Sequence, residues 1–190
     1  MAVCVIMDFA GGSAEQYDRV VEKMDLGDHV PERAIFHAAG GYGDGWRVVD
    51  VWESPEAFQQ FAAEKIGPIA GAEGLPEPQV EMFDVDELTD ERGGDTGGIS
   101  FLQVVRLDGL DEATFKANDA KIRDEGQTPD GGKFHVNGQG PNGWMVADGW
   151  TSKEARDTFV ANKVMPVMQD SGAPPPTIED LPVHNTLAAR

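Results

Sequence analysis

The chain has 190 residues, of which 40% are hydrophobic, so it can form either one large domain or two small ones. Its formal net charge is −19, which repels the phosphate groups of nucleic acids and of anionic lipids, and we expect neither as a partner. The single cysteine, Cys4, excludes an intrachain disulfide and a cysteine metal cluster. No apolar stretch approaches the length of a membrane span and no signal peptide is recognisable, so we expect a cytoplasmic location.

The first half of the chain predicts elements in the order β-α-β-β-α-β. Ser13 can cap the first helix, and Ser54 followed by Pro55 is a strong start for the second. The strands are predicted from apolar, β-branched runs. They lie at 3–9, 34–38, 46–52 and 79–85, with a glycine-rich turn at 40–45.

The second half repeats the first at a constant offset of 98 residues. Residues 36–78 and 134–176 are identical at 18 of 43 positions without a gap. The repeated pairs include Phe36-His37 with Phe134-His135, Asp50 with Asp148, Trp52 with Trp150, and Ser54 with Ser152. We therefore predict two duplicated units, 1–88 and 99–190, joined by a flexible glycine-rich linker at 89–98.

This order of elements is that of the ferredoxin-like α+β plait, in which two helices cover one face of a four-stranded sheet. The other face is left bare, and one unit alone buries only a modest share of its surface. Packing the two bare faces together solves both problems within one chain. The predicted architecture is an intramolecular pseudo-dimeric α/β barrel in a monomer, and further homodimerisation is possible.

The segments Trp46–Ala57 and Trp144–Ala155 resemble the dimeric α/β-barrel superfamily, including the antibiotic-biosynthesis-monooxygenase-like proteins. The resemblance implies the fold, and activities ranging from cofactor-independent quinol oxygenases and haem-degrading oxygenases to polyketide cyclases and lactone isomerases. Oxygenases of this superfamily commonly use an Asn, a Trp and a His or Tyr in the cleft. Trp52 and Trp150 match this pattern, whereas valines stand where the Asn is expected, which argues against haem degradation and quinol oxidation.

The candidate catalytic residues are His37 and His135, which occupy the same position on the second strand of each unit. Each histidine faces away from the phenylalanine that precedes it, because adjacent strand residues point to opposite faces. An imidazole facing a cleft could act as a general base. The alternative is a histidine held by a hydrogen bond within the sheet for packing alone.

The candidate substrate-binding residues are two aspartates, two tryptophans and one asparagine: Asp50, Asp148, Trp52, Trp150 and Asn137. The tryptophans can stack on a flat ligand, and a carboxylate among aromatic rings is suited to proton transfer. Structural alternatives are core packing for the tryptophans and a local salt bridge for the aspartates. Asn137 lies two residues from His135 on the same strand face. This favours the second unit as the location of the active cleft. The histidines and the cysteine show no metal-ligand spacing, and we expect neither a metal nor a cofactor.

The leading functional hypothesis is an α/β-barrel protein that binds a hydrophobic, aromatic small molecule. It would be a cofactor-independent monooxygenase-like or a cyclase- or isomerase-like enzyme with His37 or His135 as base. The alternative is a non-catalytic binder of a small metabolite, or a stress-related interaction protein. A pocket containing His135 would favour the first hypothesis, whereas an interface filled by side chains would favour the second.

Overall fold

The computed structural model describes residues 1–90, 97–123 and 129–187. The strands are β1 (Val3–Phe9), β2 (Ala34–Tyr42), β3 (Gly45–Trp52), β4 (Gln79–Asp90), β5 (Phe101–Asp108), β6 (Gly132–Gln139), β7 (Gly143–Trp150), β8 (Thr177–Pro182) and β9 (Asn185–Leu187). The helices are α1 (Ala14–Met24), α2 (Pro55–Phe61), α3 (Gly67–Ala72), α4 (Glu112–Ile122), α5 (Lys153–Phe159) and α6 (Met165–Ser171). None of these described helices is long and apolar enough to cross a membrane.

The strands form one antiparallel sheet in the order β8-β5-β7-β6-β4-β1-β3-β2-β9. This confirms the α+β class, and the order of elements agrees with a ferredoxin-like fold in each half. β4 joins the halves, because its first part pairs with β1 and its second part with β6. The two edges are β8 and β9, which follow each other in the chain with Val183 and His184 between them. Within the described residues the sheet is therefore not closed into the predicted barrel.

Three local predictions differ from the structure. β4 runs to Asp90 rather than 85, because β6 supplies a pairing partner that a one-unit sequence pattern does not contain. β2 continues through Gly40, where a side chain is excluded because its Cβ would lie 2.0 Å from the carbonyl oxygen of Pro182. Strand β9 was not predicted. Of the predicted linker, residues 91–96 lie outside the described residues.

The helix starts follow the predicted capping residues. The hydroxyl of Ser54 accepts a hydrogen bond from the Ala57 N–H, and Ser152 does the same at the start of α5. A π-helical turn follows α2 at Ala62–Ile66 and α5 at Val160–Val164. Each turn precedes a proline, which cannot donate the next helical hydrogen bond, so the wider turn accommodates the proline without ending the helix.

The largest hydrophobic cluster contains residues of both halves. Phe36 and Phe134 stack with ring centroids 3.7 Å apart and planes 8° apart. Around them pack buried side chains of the strands, which include Cys4, Ile6, Val49, Leu102, Val104 and Val136. Burial raises the pKa of the Cys4 thiol, so this cysteine behaves as a small apolar side chain.

The opposite, helix-covered faces of the two halves are packed differently. In the first half, fourteen buried residues form one cluster between the strands and helices α1 to α3. In the second half, the corresponding cluster among the described residues contains four buried residues: Leu110, Phe115, Trp144 and Val146. The helix-covered face of the second half is therefore less densely filled than that of the first. Each candidate histidine lies on the helix-covered face of its own half.

Candidate functional site

In the first half, His37 lies within a chain of hydrogen bonds. It pairs across β2 and β3 with Asp50, and its Nδ1 lies 2.7 Å from Asp50 Oδ1. Its Nε2 lies 2.7 Å from the hydroxyl of Tyr17, which accepts a hydrogen bond of 3.0 Å from the Asn185 amide. Because the tyrosine oxygen is thus an acceptor from Asn185, its own proton is available for Nε2. The indole N–H of Trp52 donates to the other oxygen of Asp50 at 3.4 Å.

The tyrosine hydroxyl in this chain keeps its proton. Burial raises the pKa of Tyr17 well above its usual value. Tyr17 therefore donates to His37 Nε2, and His37 carries its proton on Nδ1, which Asp50 accepts. Both ring nitrogens of His37 are therefore hydrogen-bonded to protein side chains.

In the second half, His135 pairs across β6 and β7 with Asp148, and its Nδ1 lies 2.7 Å from Asp148 Oδ1. Its Nε2 lies 2.8 Å from the amide nitrogen of Asn137, whose oxygen accepts a hydrogen bond of 3.1 Å from the Trp144 indole. An indole nitrogen can only donate, which fixes the orientation of the Asn137 amide. The amide nitrogen therefore donates to Nε2, and Nδ1 carries the proton of His135.

A cavity of about 180 Å³ lies beside His135, whereas the corresponding cavity beside His37 has about 60 Å³. The larger cavity is lined mainly by apolar side chains, which include Val105, Leu107, Phe115, Val146, Phe159 and Ile178. Asp148 and Trp150 are also on its wall. An apolar protein cavity of about 150 Å³ is enough to hold benzene. The cavity beside His135 therefore has room for an aromatic ring.

The difference in volume follows from substitutions between paired positions. At the offset of 98, Met7, Phe9 and Tyr17 correspond to Val105, Leu107 and Phe115. Each residue of the second half is smaller than its counterpart. The aromatic ring itself is retained at the last of these positions, because Tyr17 packs on Trp46 with centroids 5.2 Å apart and Phe115 on Trp144 at 5.0 Å. The hydroxyl that occupies His37 is missing beside His135.

The wall of the larger cavity also carries polar side chains that the first half lacks. Gln103, Asn118 and Asp119 line it at the positions of Val5, Val20 and Val21. Burial raises the pKa of Asp119, although Arg123 donates a hydrogen bond of 3.1 Å to it. These three residues add hydrogen-bonding capacity to an otherwise apolar space.

Each histidine site is completed by a strand of the other half. Glu87 on β4 lies 3.4 Å from the Asn137 amide nitrogen and accepts a hydrogen bond of 2.7 Å from Arg123. Asn185 on β9 occupies the equivalent position in the first site, because 87 and 185 differ by 98. Burial alone raises the pKa of Glu87, but the charge and hydrogen bond of Arg123 outweigh burial and lower it. Glu87 therefore stays ionised beside Asn137.

The predicted site residues fall into two groups: His37, Asp50 and Trp52 in one, and His135, Asn137, Asp148 and Trp150 in the other. Sequence reasoning did not identify the roles of Tyr17, Glu87, Asn118 or Asn185. A signal for Asn118 was present in the sequence, because a polar residue there replaces the apolar Val20 of the paired helix. No comparable signal pointed to Glu87 or Asn185, which reach the sites through pairing between the halves.

An open groove of about 600 Å³ lies next to the cavity and shares with it the lining residues Ile122, Arg123, Pro129 and Phe159. A molecule larger than one ring could therefore place one ring in the cavity and the remainder in the groove. Across residues 1–90, 97–123 and 129–187, no three His, Cys, Asp or Glu side chains converge as metal ligands would.

Solved structures with this fold include enzymes and enzyme-like proteins. A "putative monooxygenase" from Lactobacillus acidophilus superposes with a TM-score of 0.70 at 12% identity, covering 98% of this chain and 96% of the other. A protein of the same name from Fusobacterium nucleatum gives 0.73 at 13% identity, covering 98% and 94%. An anthrone oxidase-like protein gives 0.53 at 15% identity, covering 99% and 93%. At these identities the similarity shows a ferredoxin-like α+β fold and no activity.

Comparison by sequence adds nothing to the comparison by structure. No protein-family model matches the chain, and no curated protein matches it. The function must therefore be argued from the site.

Proposed function

We propose that the second half of the chain binds a hydrophobic, aromatic small molecule in the cavity beside His135, and that His135 removes a proton from it. The observation that carries this proposal is the 180 Å³ cavity beside a histidine paired with a carboxylate. The first half has the same His-Asp pair but a cavity of only 60 Å³. The catalytic assignment is therefore to His135 and not to His37.

The geometry of the pair suits a general base. Asp148 accepts the Nδ1 proton, so it orients the ring and stabilises the imidazolium that forms when Nε2 takes a proton. In the unliganded site Nε2 accepts from the Asn137 amide at 2.8 Å. A substrate O–H or C–H must replace this donor, and the Asn137 amide nitrogen keeps its existing hydrogen bond to Glu87, 3.4 Å away.

The reaction that we favour is monooxygenase-like, with dioxygen as the oxidant. Deprotonation gives a delocalised carbanion, which reduces dioxygen; one oxygen atom enters the product and the other leaves as water. For anthrone the balance is anthrone plus O₂ giving anthraquinone plus H₂O, with no further reductant. The monooxygenase and anthrone oxidase names of structures with this fold support the choice of reaction.

The test uses anthrone in air-saturated buffer, with oxygen consumption and anthraquinone formation as readouts. We expect His135→Ala to lower the rate at least 100-fold, the typical contribution of a general base. The matched variant His37→Ala keeps the rate within about twofold, because the cavity beside His37 has only about 60 Å³. A rate that survives in His135→Ala would end the assignment of the base.

A second candidate function is ligand binding without catalysis. The observation in its favour is that the base nitrogen of His135 is already hydrogen-bonded to Asn137. Binding of aromatic probes with no turnover of anthrone or other acidic aromatic compounds would favour this candidate over the enzyme.

We also propose that the two halves form a pseudo-dimeric α/β barrel that arose by duplication. The stacked Phe36 and Phe134, the reciprocal contributions of Glu87 and Asn185, and the repeated order of elements support this. β8 pairs with β5 and β9 pairs with β2, so the C-terminal segment reaches both edges of the sheet. Amide hydrogen exchange tests this, because a continuous barrel predicts slow exchange of the His184 N–H, which bonds to the Ala39 carbonyl.

A further inference from the structure

One wall of the His135 cavity carries a carboxyl group to which the proposed reaction assigns no role. Asp119 lies on helix α4 and lines the cavity. It corresponds to Val21, which lines the smaller cavity of the first half, so the fold does not require an acid at this position. The Asp119 side chain is 23% exposed, and within the described residues only its Oδ1 has a partner, Arg123 Nε at 3.1 Å. Asp119 can therefore contact a ligand in the cavity through Oδ2.

Asp119 also belongs to a hydrogen-bond network that reaches His135. Arg123 donates to Asp119 and, through Nη1, to Glu87 at 2.7 Å. Glu87 lies 3.4 Å from the amide nitrogen of Asn137, which lies 2.8 Å from His135 Nε2. None of the four residues that link Asp119 to His135 is retained in the first half, where the paired positions hold Val21, Asp25, Asn185 and Ala39. The network is thus a property of the second site and not of the shared fold.

The surroundings of Asp119 suit a carboxyl group that holds a proton and releases it when His135 is charged. Burial raises the pKa of Asp119, the positive charges of Arg123 and protonated His135 lower it, and the negative charge of Glu87 raises it. A proton taken up by His135 therefore makes Asp119 a stronger acid. The two groups are coupled in the direction that an acid and a base in one reaction require.

We infer that Asp119 is the general acid of the second site and gives a proton to the molecule that His135 deprotonates. The inference rests on the proposed function and adds a second catalytic residue to it. Asp119 lies on α4 and His135 on β6, so the acid and the base reach the cavity from different elements. This arrangement lets them act on two different atoms of one substrate.

The proton of Asp119 is needed when the O–O bond breaks. After His135 has removed one C–H proton, dioxygen adds to the carbanion, and the peroxide anion takes that proton back from His135 to give a hydroperoxide. His135 then removes the remaining proton from the same carbon, the C–H electron pair forms the second bond of C=O, and the O–O bond breaks. The leaving oxygen takes the proton of Asp119 and departs as water. His135 returns its proton to Asp119 through solvent, which restores both groups.

The test follows anthrone oxidation by the full chain and measures oxygen uptake, organic hydroperoxide and anthraquinone separately. We expect Asp119→Asn to leave oxygen uptake nearly unchanged and to slow the conversion of hydroperoxide to anthraquinone about 100-fold, so that hydroperoxide accumulates. Asparagine has the shape of aspartate and its oxygen still accepts from Arg123, so the variant removes the acidic proton and keeps the contact. The matched control is Asp157→Asn on α5, an exposed aspartate outside the cavity, which should accumulate no hydroperoxide.

A second measurement does not depend on oxidation. The carboxyl carbon of Asp119 is titrated by NMR in the wild-type chain and in His135→Gln. Because protonated His135 lowers the pKa of Asp119, its replacement by a neutral side chain should move the Asp119 titration to higher pH. An unchanged titration would show that the two groups are not coupled.

If Asp119→Asn forms anthraquinone at the wild-type rate, the acid assignment is wrong and His135 as base stands. If Asp119→Asn also loses oxygen uptake, Asp119 acts before oxygen adds and the step assigned to it is wrong. If the wild-type chain takes up no oxygen with anthrone, the proposed oxidation fails, and the titration then decides on Asp119 alone. A shift to higher pH in His135→Gln supports Asp119 as the acid partner of His135, and no shift ends the inference.

Discussion

The two halves of this chain contain the same His-Asp pair in different surroundings. His37 and His135 each place Nδ1 2.7 Å from the paired aspartate. In the first half, the hydroxyl of Tyr17 occupies the other ring nitrogen, and apolar side chains fill the space beside it. In the second half, Phe115 leaves that space open, with a threefold larger cavity of about 180 Å³ against about 60 Å³.

This difference shows that a repeated pair of residues does not by itself define a functional site. The pair is retained because His37 and Asp50, and likewise His135 and Asp148, face each other across neighbouring strands. What distinguishes the halves is the set of side chains around the pair. Exchanging residues between paired positions therefore tests the comparison directly.

The largest effect is expected for Arg47, which corresponds to Met145 in the second half. The Arg47 side chain is 2% exposed and is paired with Asp8 at 2.5 Å and Glu179 at 2.6 Å. Arg47→Met leaves both carboxylates without this partner and should lower the free energy of unfolding by about 3 kcal/mol in urea denaturation. Met145→Leu, a volume-conserving change at the paired position, should cost less than about 1.5 kcal/mol. Equal losses in the two variants would contradict the structural role of Arg47.

Exchanging Val20 and Asn118 should change stability in opposite directions. Val20→Asn places an amide in the packed cluster of the first half and should cost about 2 kcal/mol. Asn118→Val removes an unpartnered buried donor and should stabilise the ligand-free protein by about 1 kcal/mol. Both values can be measured by chemical denaturation. A destabilised Asn118→Val protein would show that the amide is satisfied in solution.

Phe115→Tyr should convert the second site towards the first. The added hydroxyl would point at His135 as that of Tyr17 points at His37, and would take up part of the cavity. Binding of a one-ring aromatic probe such as acetophenone, measured by ligand-observed NMR titration, should weaken about tenfold, which corresponds to about 1.4 kcal/mol. Tyr17→Phe is the matched change in the first half and should leave the binding of this probe unaltered. Unchanged binding to Phe115→Tyr would place the ligand elsewhere.

The smallest effect is expected when the Glu179 carboxylate is removed or protonated. Glu179 connects the halves, because it pairs with Arg47 of the first half and Arg106 of the second. Burial alone raises the pKa of Glu179, but hydrogen bonds from Arg47 and Arg106 outweigh burial and lower it. A lowered folded-state pKa stabilises the protein at neutral pH, and this contribution is lost as the pH falls below the usual value of 4.5.

We expect Glu179→Gln to be about 1 kcal/mol less stable than the wild-type chain at pH 7. The difference should shrink as the pH is lowered from 5 towards 3, as followed by urea denaturation. Glu81→Gln, at the paired position, should cost less at pH 7, since within the described part of the chain Glu81 pairs with Arg106 alone, whereas Glu179 also pairs with Arg47. A difference that grows in acid would have the wrong sign for this account.

Much of each half could be predicted from local patterns. Capping by Ser13, Ser54 and Ser152 and the alternation along the strands located the helices and the opposite-facing histidines and phenylalanines. The contact between His135 and Asn137 also followed from strand alternation, because residues two apart share a face. These features depend on neighbours within a few residues, which is the range over which a sequence pattern carries information.

The contributions that cross between the halves could not be predicted in the same way. The position of Glu87 beside Asn137 depends on β4 extending past its own sheet to pair with β6. The position of Asn185 depends on β9 returning to β2. The register between distant strands depends on the packing of the whole sheet. No short segment of the sequence specifies that register.

The amino-acid sequence alone was enough to predict the repeat, the α+β class, the order of elements within each half and the candidate histidines and aspartates, because these predictions depend on periodicity and on residue identity at a constant offset. The pairing of each histidine with an aspartate came from the structure. Only the tertiary structure decided which pair lies beside an open cavity. That outcome depends on how the volumes of many side chains, drawn from strands and helices far apart in the chain, add up at one place.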